Sequence, residues 1–461
     1  MSGQPNGQST PPKVDRSNLI PFSSRLKEGR ALALDVWTIF KSLATTLLGS
    51  AANLPADCIN LGQGYMNFAP PKWVTEAAED ALNLVAPNHY SHPRGRIRLR
   101  EAIKAFYGPQ FHRELDVESE ILVTSGANEG QYSVFTAFLE QGDEVIMFEP
   151  FFDQYLPSVT FNGGKPVYVP LHPPKDDVHK PTSNDWTVDV DELRRAITPR
   201  TKMIIVNTPH NPVGKVFTKS ELEAIAAIAE EFNLLVMADE VYDCLVFDGK
   251  EHVRIANLPG MWDRTVTVGS AGKSIPHDLS EAFAATGWRV GWLIGPKSII
   301  QPTLAASTRI VFCSNSPLQE AAASGLEQAR ERQFFEIQRA EYAERRAILA
   351  DAFDALGMKY TLPEGTYFIL LTTPSHPAFW EEGEISGQAC CSTIGCISLT
   401  DHRACWFIAK EIGVSTIPVS EFYCEEHANI GEAYARFAFC KDVDTLRAAA
   451  ERLQNLKKYL K

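Results

Sequence analysis

No apolar run in this chain reaches the ~18 residues of a membrane-spanning helix, so nothing in it reads as a membrane protein. It also lacks a basic excess. The 44 Lys and Arg stand against 57 Asp and Glu, a formal net charge of −13. Nucleic-acid binders usually present a basic face, so that class is set aside. The opening residues hold no apolar signal-peptide core. Met1–Asn18 is rich in Ser, Gly, Pro, Gln and Asn and reads as a disordered tail. Its single Arg and single Asp make a weak mitochondrial presequence, so the cytosol is the expected compartment and the mitochondrion the second choice. Paired cysteine spacing is missing too. Cys390, Cys391, Cys396 and Cys405 lie close together, but only Cys391 and Cys396 fit one ligand-like spacing and no second pair completes it. No metal is expected, and scattered thiols suit a reduced compartment. There is no internal repeat and no G-x-G-x-x-G dinucleotide fingerprint.

What is present is alternation. Ile121–Thr124, Glu144–Phe148, Pro166–Val169, Met203–Asn207, Leu234–Ala238, Thr265–Val268 and Val290–Ile294 are short apolar runs, as expected for strands buried on both faces. Helical patterns lie between them. The clearest starts at a capping box, Thr218 with Glu221, and runs to Phe232. This order predicts an α/β fold with a mainly parallel central sheet in a large domain. One long helical pattern, Pro317–Leu356, leads away. Strand patterns at Thr366–Leu371 and Ala433–Phe439 and a closing helix from Val443 to Leu460 predict a smaller α+β domain. The expected division is a tail (1–18), an N-terminal segment packing with the small domain (19–75), a large domain (76–316), and a linking helix with the small domain (317–461).

The chemistry gathers around Lys273. It follows a strand-like run ending in Ser270-Ala271-Gly272, where an enzyme would hold pyridoxal phosphate through a lysine Schiff base. That cofactor asks for a definite set of partners. Asp239, at the end of an apolar strand, could pair with the pyridine nitrogen. Gly126 and Ala127, between a strand and a helix, could cup the phosphate at a helix N-terminus. Ser270 could add a hydroxyl and Arg289 a planar cationic fork. Asn211 and Tyr242 could reach the ring oxygen, and an aromatic of Glu149–Asp153 could stack on the ring. Arg436, a charge amid apolar neighbours, could grip a substrate carboxylate. Taken singly, each reads equally well as ordinary structure: a snorkelling lysine, a capping Asp, a helix start, a turn, core aromatics, a salt bridge.

Taken in order, the segments resemble one family. Asn60–Gly64, Tyr90, Glu149–Asp153, Asn207–Gly214, Asp239–Tyr242, Ser270–Lys273, Thr286–Trp292, Pro363–Phe368, Ile417–Tyr423 and Tyr434–Phe437 follow the pattern of the class I, fold type I aminotransferases. The nearest resemblance is to the kynurenine aminotransferase, glutamine transaminase K and cysteine-S-conjugate β-lyase group. The resemblance implies a pyridoxal-phosphate enzyme with Lys273 as Schiff-base lysine and proton shuttle. It makes Asp239 the pyridinium partner and gives Asn211 and Tyr242 to the ring oxygen. Phe152 would stack on the ring, and Gly126, Ala127, Ser270 and Arg289 would hold the phosphate. Tyr90 would reach the phosphate of a neighbouring subunit, implying a homodimer with shared sites. Arg436 and Asn211 would grip the substrate carboxylate, and Gly64 and Trp37 would line the side-chain pocket. The implied reaction is transamination of kynurenine with a 2-oxo acid. The alternatives are a glutamine or aromatic aminotransferase with β-lyase activity, and a catalytically silent relative.

The chain departs from that pattern in one place. Eight residues, Ile275–Ala282, separate Lys273 from the block beginning at Phe283. Either they loop out and leave Arg289 in place, or they displace it from the cofactor. Roughly Ser375–His402 is a second irregular stretch.

Overall fold

The computed structural model describes residues 55, 57–175, 180–274, 285–373 and 400–460. Ile275–Ala282, Trp37, Cys390, Cys391 and Cys396 therefore lie outside the described residues, as does most of Ser375–His402. Strands are numbered along the chain from β1 (Ile59–Asn60). Eight of them form one large sheet: β2 (Ile121–Thr124), β3 (Glu144–Glu149), β4 (Lys165–His172), β5 (Thr187–Val188), β6 (Thr201–Asn207), β7 (Leu235–Asp239), β8 (Thr265–Ser270) and β9 (Gly291–Ile294). Their order across the sheet is β2-β9-β8-β7-β6-β3-β4-β5. The five central strands, β8 to β4, run parallel; β9 and β5 run antiparallel to their neighbours. The residues explain the layout. Val236–Ala238, Met203–Val206 and Val145–Phe148 are buried throughout, which suits strands covered on both faces by helices.

The capping box forms as its spacing predicts. Thr218 N–H donates to Glu221 Oε2 at 2.8 Å, and Glu221 N–H returns to Thr218 Oγ1 at 3.3 Å, opening the helix Lys219–Glu231. The expected single helix over 317–356 is two helices, Ser316–Gln328 and Phe334–Leu356. The break falls at Gln333, which is left-handed (φ 51°), and Phe334 beyond it is fully buried. Burying that ring overrides a helical pattern that carries no Gly or Pro at the break.

A second sheet has four antiparallel strands in the order β10-β11-β14-β13: β10 (Tyr360–Thr361), β11 (Phe368–Thr372), β13 (Ile417–Pro418) and β14 (Tyr434–Ala438). β1 pairs in parallel with β12 (Val414–Ser415), tying the N-terminal segment to this smaller unit. The expected fold class is therefore present, with a mainly parallel large sheet and a smaller sheet beside it. The closing helix is Val443–Leu453, finished by a 3-10 turn. One cluster of buried apolar side chains runs from Val236 and Ile204 in the large sheet to Phe437 and Leu370 in the small one. The groove where the two sheets meet faces the carboxyl ends of the parallel strands, where α/β sheets bind ligands.

Candidate functional site

The carboxyl ends of β6, β7 and β8 deliver Asn207, Asp239 and Ser270 to one edge. β9 runs the other way, so its first residue, Gly291, reaches the same edge. It pairs with Ser270 on one side and Thr124 on the other. That register places Arg289, two residues ahead, next to Gly126, two residues past Thr124. A Cβ added to Gly126 (φ 81°) would lie 2.5 Å from Arg289 Nη2, and one on Gly291 would lie 2.7 Å from Ala127 N. The backbone therefore needs both glycines to bring Arg289, Gly126 and the N-terminus of the helix Ala127–Phe138 together. Arg289 keeps this place despite the eight residues before it, because pairing of β9 with β8 and β2 sets its position. Its Nη1 donates to Thr286 O at 3.0 Å, and the residue as a whole is exposed. Ser270, Gly126, Ala127 and Arg289 form a small-residue cradle with one planar cation, a donor set that fits a phosphate.

Lys273 sits in the short helix Ala271–Ser274 directly after β8. Its Nζ donates to Tyr242 Oη at 2.8 Å and lies 5.8 Å from the centroid of the Phe152 ring. Asp239 is 3% exposed. Burial raises its proton affinity. Tyr155, the charge of Lys273, the Val241 N–H and Gln131 act in the opposite direction. Gln131 Nε2 donates to its Oδ2 at 2.8 Å, and Tyr155 Oη donates to the same oxygen. A buried carboxylate supplied with donors in this way is suited to a cationic ring nitrogen. Asp239 stands out in the sequence, but Gln131 and Tyr155 do not. They come from elements distant in the chain, and no local pattern marks them.

A cavity of about 190 Å³ opens beside Lys273, lined by Gln63, Gly64, Tyr65, Phe152, Asp153, Asn211, Tyr242, Phe368, Ile417, Phe422 and Arg436. Arg436 enters from β14 and is 4% exposed. Its Nη1 donates to Asn211 Oδ1 at 3.0 Å and its Nη2 to Gly62 O at 2.7 Å, while its Nε has no partner among the described residues. Burial lowers its pKa to about 10. The guanidinium lies 4.2 Å from the Phe368 ring centroid and 4.9 Å from that of Phe422. A buried cation with an orphaned N–H and, among the described residues, no ion pair fits an incoming carboxylate.

The structure thus brings Lys273, Tyr242, Phe152, Asn211, Gly64 and Arg436 around one cavity, while Asp239 and Ser270 end the strands that precede Tyr242 and Lys273. Tyr90 does not line the cavity. It is 86% exposed and meets the exposed Phe312 edge to face at 5.4 Å. Glu149, at the end of β3, is fully buried and accepts from Cys424 N–H and the His427 ring, bracing the segment that carries Phe422. Cys405 is buried, with its Sγ 3.5 Å from Thr416 Oγ1. Among the described residues no helix is long and apolar enough to cross a membrane.

A family model described as aminotransferase class I and II matches residues 56–453. The Saccharomyces cerevisiae protein named "Probable kynurenine–oxoglutarate transaminase BNA3" is 42% identical over 93% of each chain. The kynurenine–oxoglutarate transaminase of Dictyostelium discoideum is 38% identical, over 94% of this chain and 96% of that protein. The crystal structure of Bna3p from Saccharomyces cerevisiae matches with a TM-score of 0.83 at 41% identity, covering 92% of this chain and 96% of that one.

Proposed function

The chain belongs to the class I and II aminotransferases, which use pyridoxal phosphate, and we propose that it transaminates L-kynurenine with a 2-oxo acid acceptor, giving kynurenate. The observation that carries this reading is the cavity itself, lined by the buried Arg436, by Lys273 and by the rings of Tyr65, Phe152, Phe368 and Phe422. A carboxylate clamp with aromatic walls suits an amino acid with an aromatic side chain. The names of the yeast and Dictyostelium relatives support the same substrate.

Pyridoxal phosphate, when bound, supplies the electron-withdrawing ring that acidifies the substrate Cα–H. In our reading Lys273 would hold it covalently through Nζ, and Asp239 would keep its ring nitrogen protonated. Ser270, Arg289, Gly126 and the Ala127 N–H would hold its phosphate, and Phe152 would cover one face of the ring. Tyr242 Oη and the Asn211 amide would donate to the ring oxygen. Arg436, steadied by Asn211, would take the substrate carboxylate and so orient Cα toward Lys273 Nζ. Lys273 Nζ would then carry the Cα proton, with Tyr242 Oη accepting its hydrogen bond and fixing where the nitrogen stands. Gly64 lines the side-chain pocket, and Trp37 is assigned there from sequence alone.

We also assign a homodimer with shared sites. The exposed Tyr90 and Phe312 pair is suited to reach a partner's phosphate cradle rather than its own. Residues 76–316 would be the large domain and 317–461 the linking helices and small domain. Six described cysteines are free thiols, which suits the cytosol. The aromatic walls also favour a second reading, with phenylalanine or glutamine as donor and β-lyase chemistry on cysteine conjugates as a side activity.

The test begins with protein purified with pyridoxal phosphate. Visible absorption from the lysine-bound cofactor is expected, and Lys273→Ala should abolish it. Kynurenine with 2-oxoglutarate should then yield kynurenate. Absorption without kynurenate, but with turnover of phenylalanine or glutamine, would select the second reading.

A further inference from the structure

Five successive carbonyls of the strap Leu61–Tyr65 are each taken by a donor from the small sheet or the residues flanking its strands. Ala438 N–H donates to Leu61 O at 2.6 Å. Arg436 Nη2 donates to Gly62 O at 2.7 Å, and Tyr367 Oη to Gly64 O at 3.1 Å. The other two carbonyls share one ammonium, and Cys440 Sγ also donates to Tyr65 O at 3.4 Å. Lys441 Nζ donates to Gln63 O at 3.1 Å and also to Tyr65 O, and it stands 3.5 Å from the centroid of the Tyr65 ring. An ammonium has three N–H bonds, and two carbonyls and an aromatic face make three acceptors. Lys441 is 2% exposed and forms no ion pair among the described residues. Burying that charge without a carboxylate is unfavourable unless the donors are fully used, as they are here.

The placement matters because of what the strap carries. Gln63, Gly64 and Tyr65 form one wall of the cavity opposite Phe152. Gly64 is pressed against Phe368 and Tyr367, leaving under 3 Å for a Cβ, so the wall has little room to shift inward. Outward movement is what Lys441 opposes. Arg436, five residues earlier on the same strand and its continuation, holds the strap at Gly62 through Nη2 and lines the cavity. Thus the element that binds the substrate carboxylate also fixes the wall of the side-chain pocket.

We propose that Lys441 is a positioning residue for substrate selection: it holds Tyr65 and Gly64 against the side chain of the amino donor and so sets the preference for large aromatic donors over small ones. This rests on the transaminase reading. Burial depresses the proton affinity of Lys441, but Asp442 and Cys440 beside it favour the charged form. The ammonium, not the neutral amine, is the form that serves all three acceptors.

The experiment compares Lys441→Met and Lys441→Arg with the wild type, each as the cofactor-loaded enzyme. It uses phenylalanine, kynurenine and alanine as donors at a fixed acceptor concentration. Lys441→Met should raise KM for phenylalanine and kynurenine about tenfold, with kcat and the alanine parameters nearly unchanged. The ratio of aromatic to alanine kcat/KM then falls by the same factor. Lys441→Arg, which keeps a cation and several donors, should recover part of that ratio. The visible absorption of the bound cofactor should be the same in all three proteins, showing an intact site. An equal loss for alanine and aromatic donors, or a loss in kcat with KM unchanged, would overturn the proposal. Wild-type protein inactive with every donor would instead overturn the transaminase reading.

Discussion

Arg436 donates to Asn211 Oδ1 at 3.0 Å while its own Nε has no partner among the described residues, so an amide hydrogen bond rather than a carboxylate one steadies this buried cation. A carboxylate partner would neutralise the guanidinium and compete with substrate. An amide orients it and leaves its charge available. Arg436→Lys keeps the charge but loses the planar fork, and should lower kcat/KM for any amino donor about 100-fold, mainly through KM. Steady-state kinetics with two chemically different donors would check this, since the loss should be alike for both. A loss confined to one donor would place Arg436 at the side chain instead of the carboxylate.

Asp239 offers a sharper test of the cofactor assignment. Asp239→Asn removes the charge but little volume, and should reduce kcat by about 10²–10⁴-fold while the protein remains folded. Tyr155→Phe should act in the same direction but more weakly. The Tyr155 hydroxyl favours the ionised form of Asp239, so losing it raises the carboxyl's proton affinity further. More of the carboxyl is then protonated as pH falls, so the deficit of Tyr155→Phe should grow toward acidic pH and shrink toward alkaline pH. A deficit independent of pH would show that Tyr155 acts only through packing.

The phosphate cradle depends on backbone shape. Gly126 has φ 81°, and a Cβ there would meet Arg289 Nη2 at 2.5 Å. Gly126→Ala should therefore weaken pyridoxal phosphate binding by about tenfold or more, from strain and displacement of Arg289 together. Equilibrium titration of the cofactor absorption would measure it. Arg289→Gln should weaken binding to a similar degree without strain, and unchanged affinity in both variants would remove these residues from the phosphate site.

Much of this site was legible because chemistry and strand ends coincide in the sequence. Asp239 follows Val236–Ala238, and a carboxylate ending such a run stands out. Lys273 and Arg436 stand out for the same reason, as charges bordering apolar strands. Seven strands of the sheet were legible from short, mainly apolar runs, while the two-residue edge strand β5 left no such run. Gln131 and Tyr155 were not legible, because their contacts with Asp239 join three separate elements. The break near Gln333 was hidden as well: no Gly or Pro marks it, and what decides it is a tertiary pocket for Phe334. Lys441 looks in sequence like any lysine ahead of a helix cap. Its burial follows only from the strap that folds across it. The position of Arg289 after an eight-residue departure was undecidable from spacing and is settled by the pairing of Gly291 with Ser270 and Thr124.

Asp401 gives a pH-dependent prediction away from the reacting atoms. It is fully buried at the start of the helix Thr400–Phe407, and its carboxylate accepts the Ser420 N–H at 2.8 Å and the His402 N–H at 2.9 Å. Ser420 opens the segment that carries Phe422 to the cavity, so this contact ties that wall to the small unit. Burial nevertheless dominates and pushes the Asp401 carboxyl up to about 6 from an ordinary 3.8. The folded state therefore holds this proton more tightly than the unfolded chain does. Its contribution is fully present below pH ~4 and is lost as pH rises through ~6, a change on the order of 3 kcal/mol. Asp401→Asn cannot ionise and should lack that dependence. The stability difference between Asp401→Asn and wild type should move in favour of the variant as pH is raised from 4 to 7. Urea unfolding midpoints at several pH values across that range would show it. A difference that stays constant with pH would mean that the two backbone donors offset the burial of the charge completely.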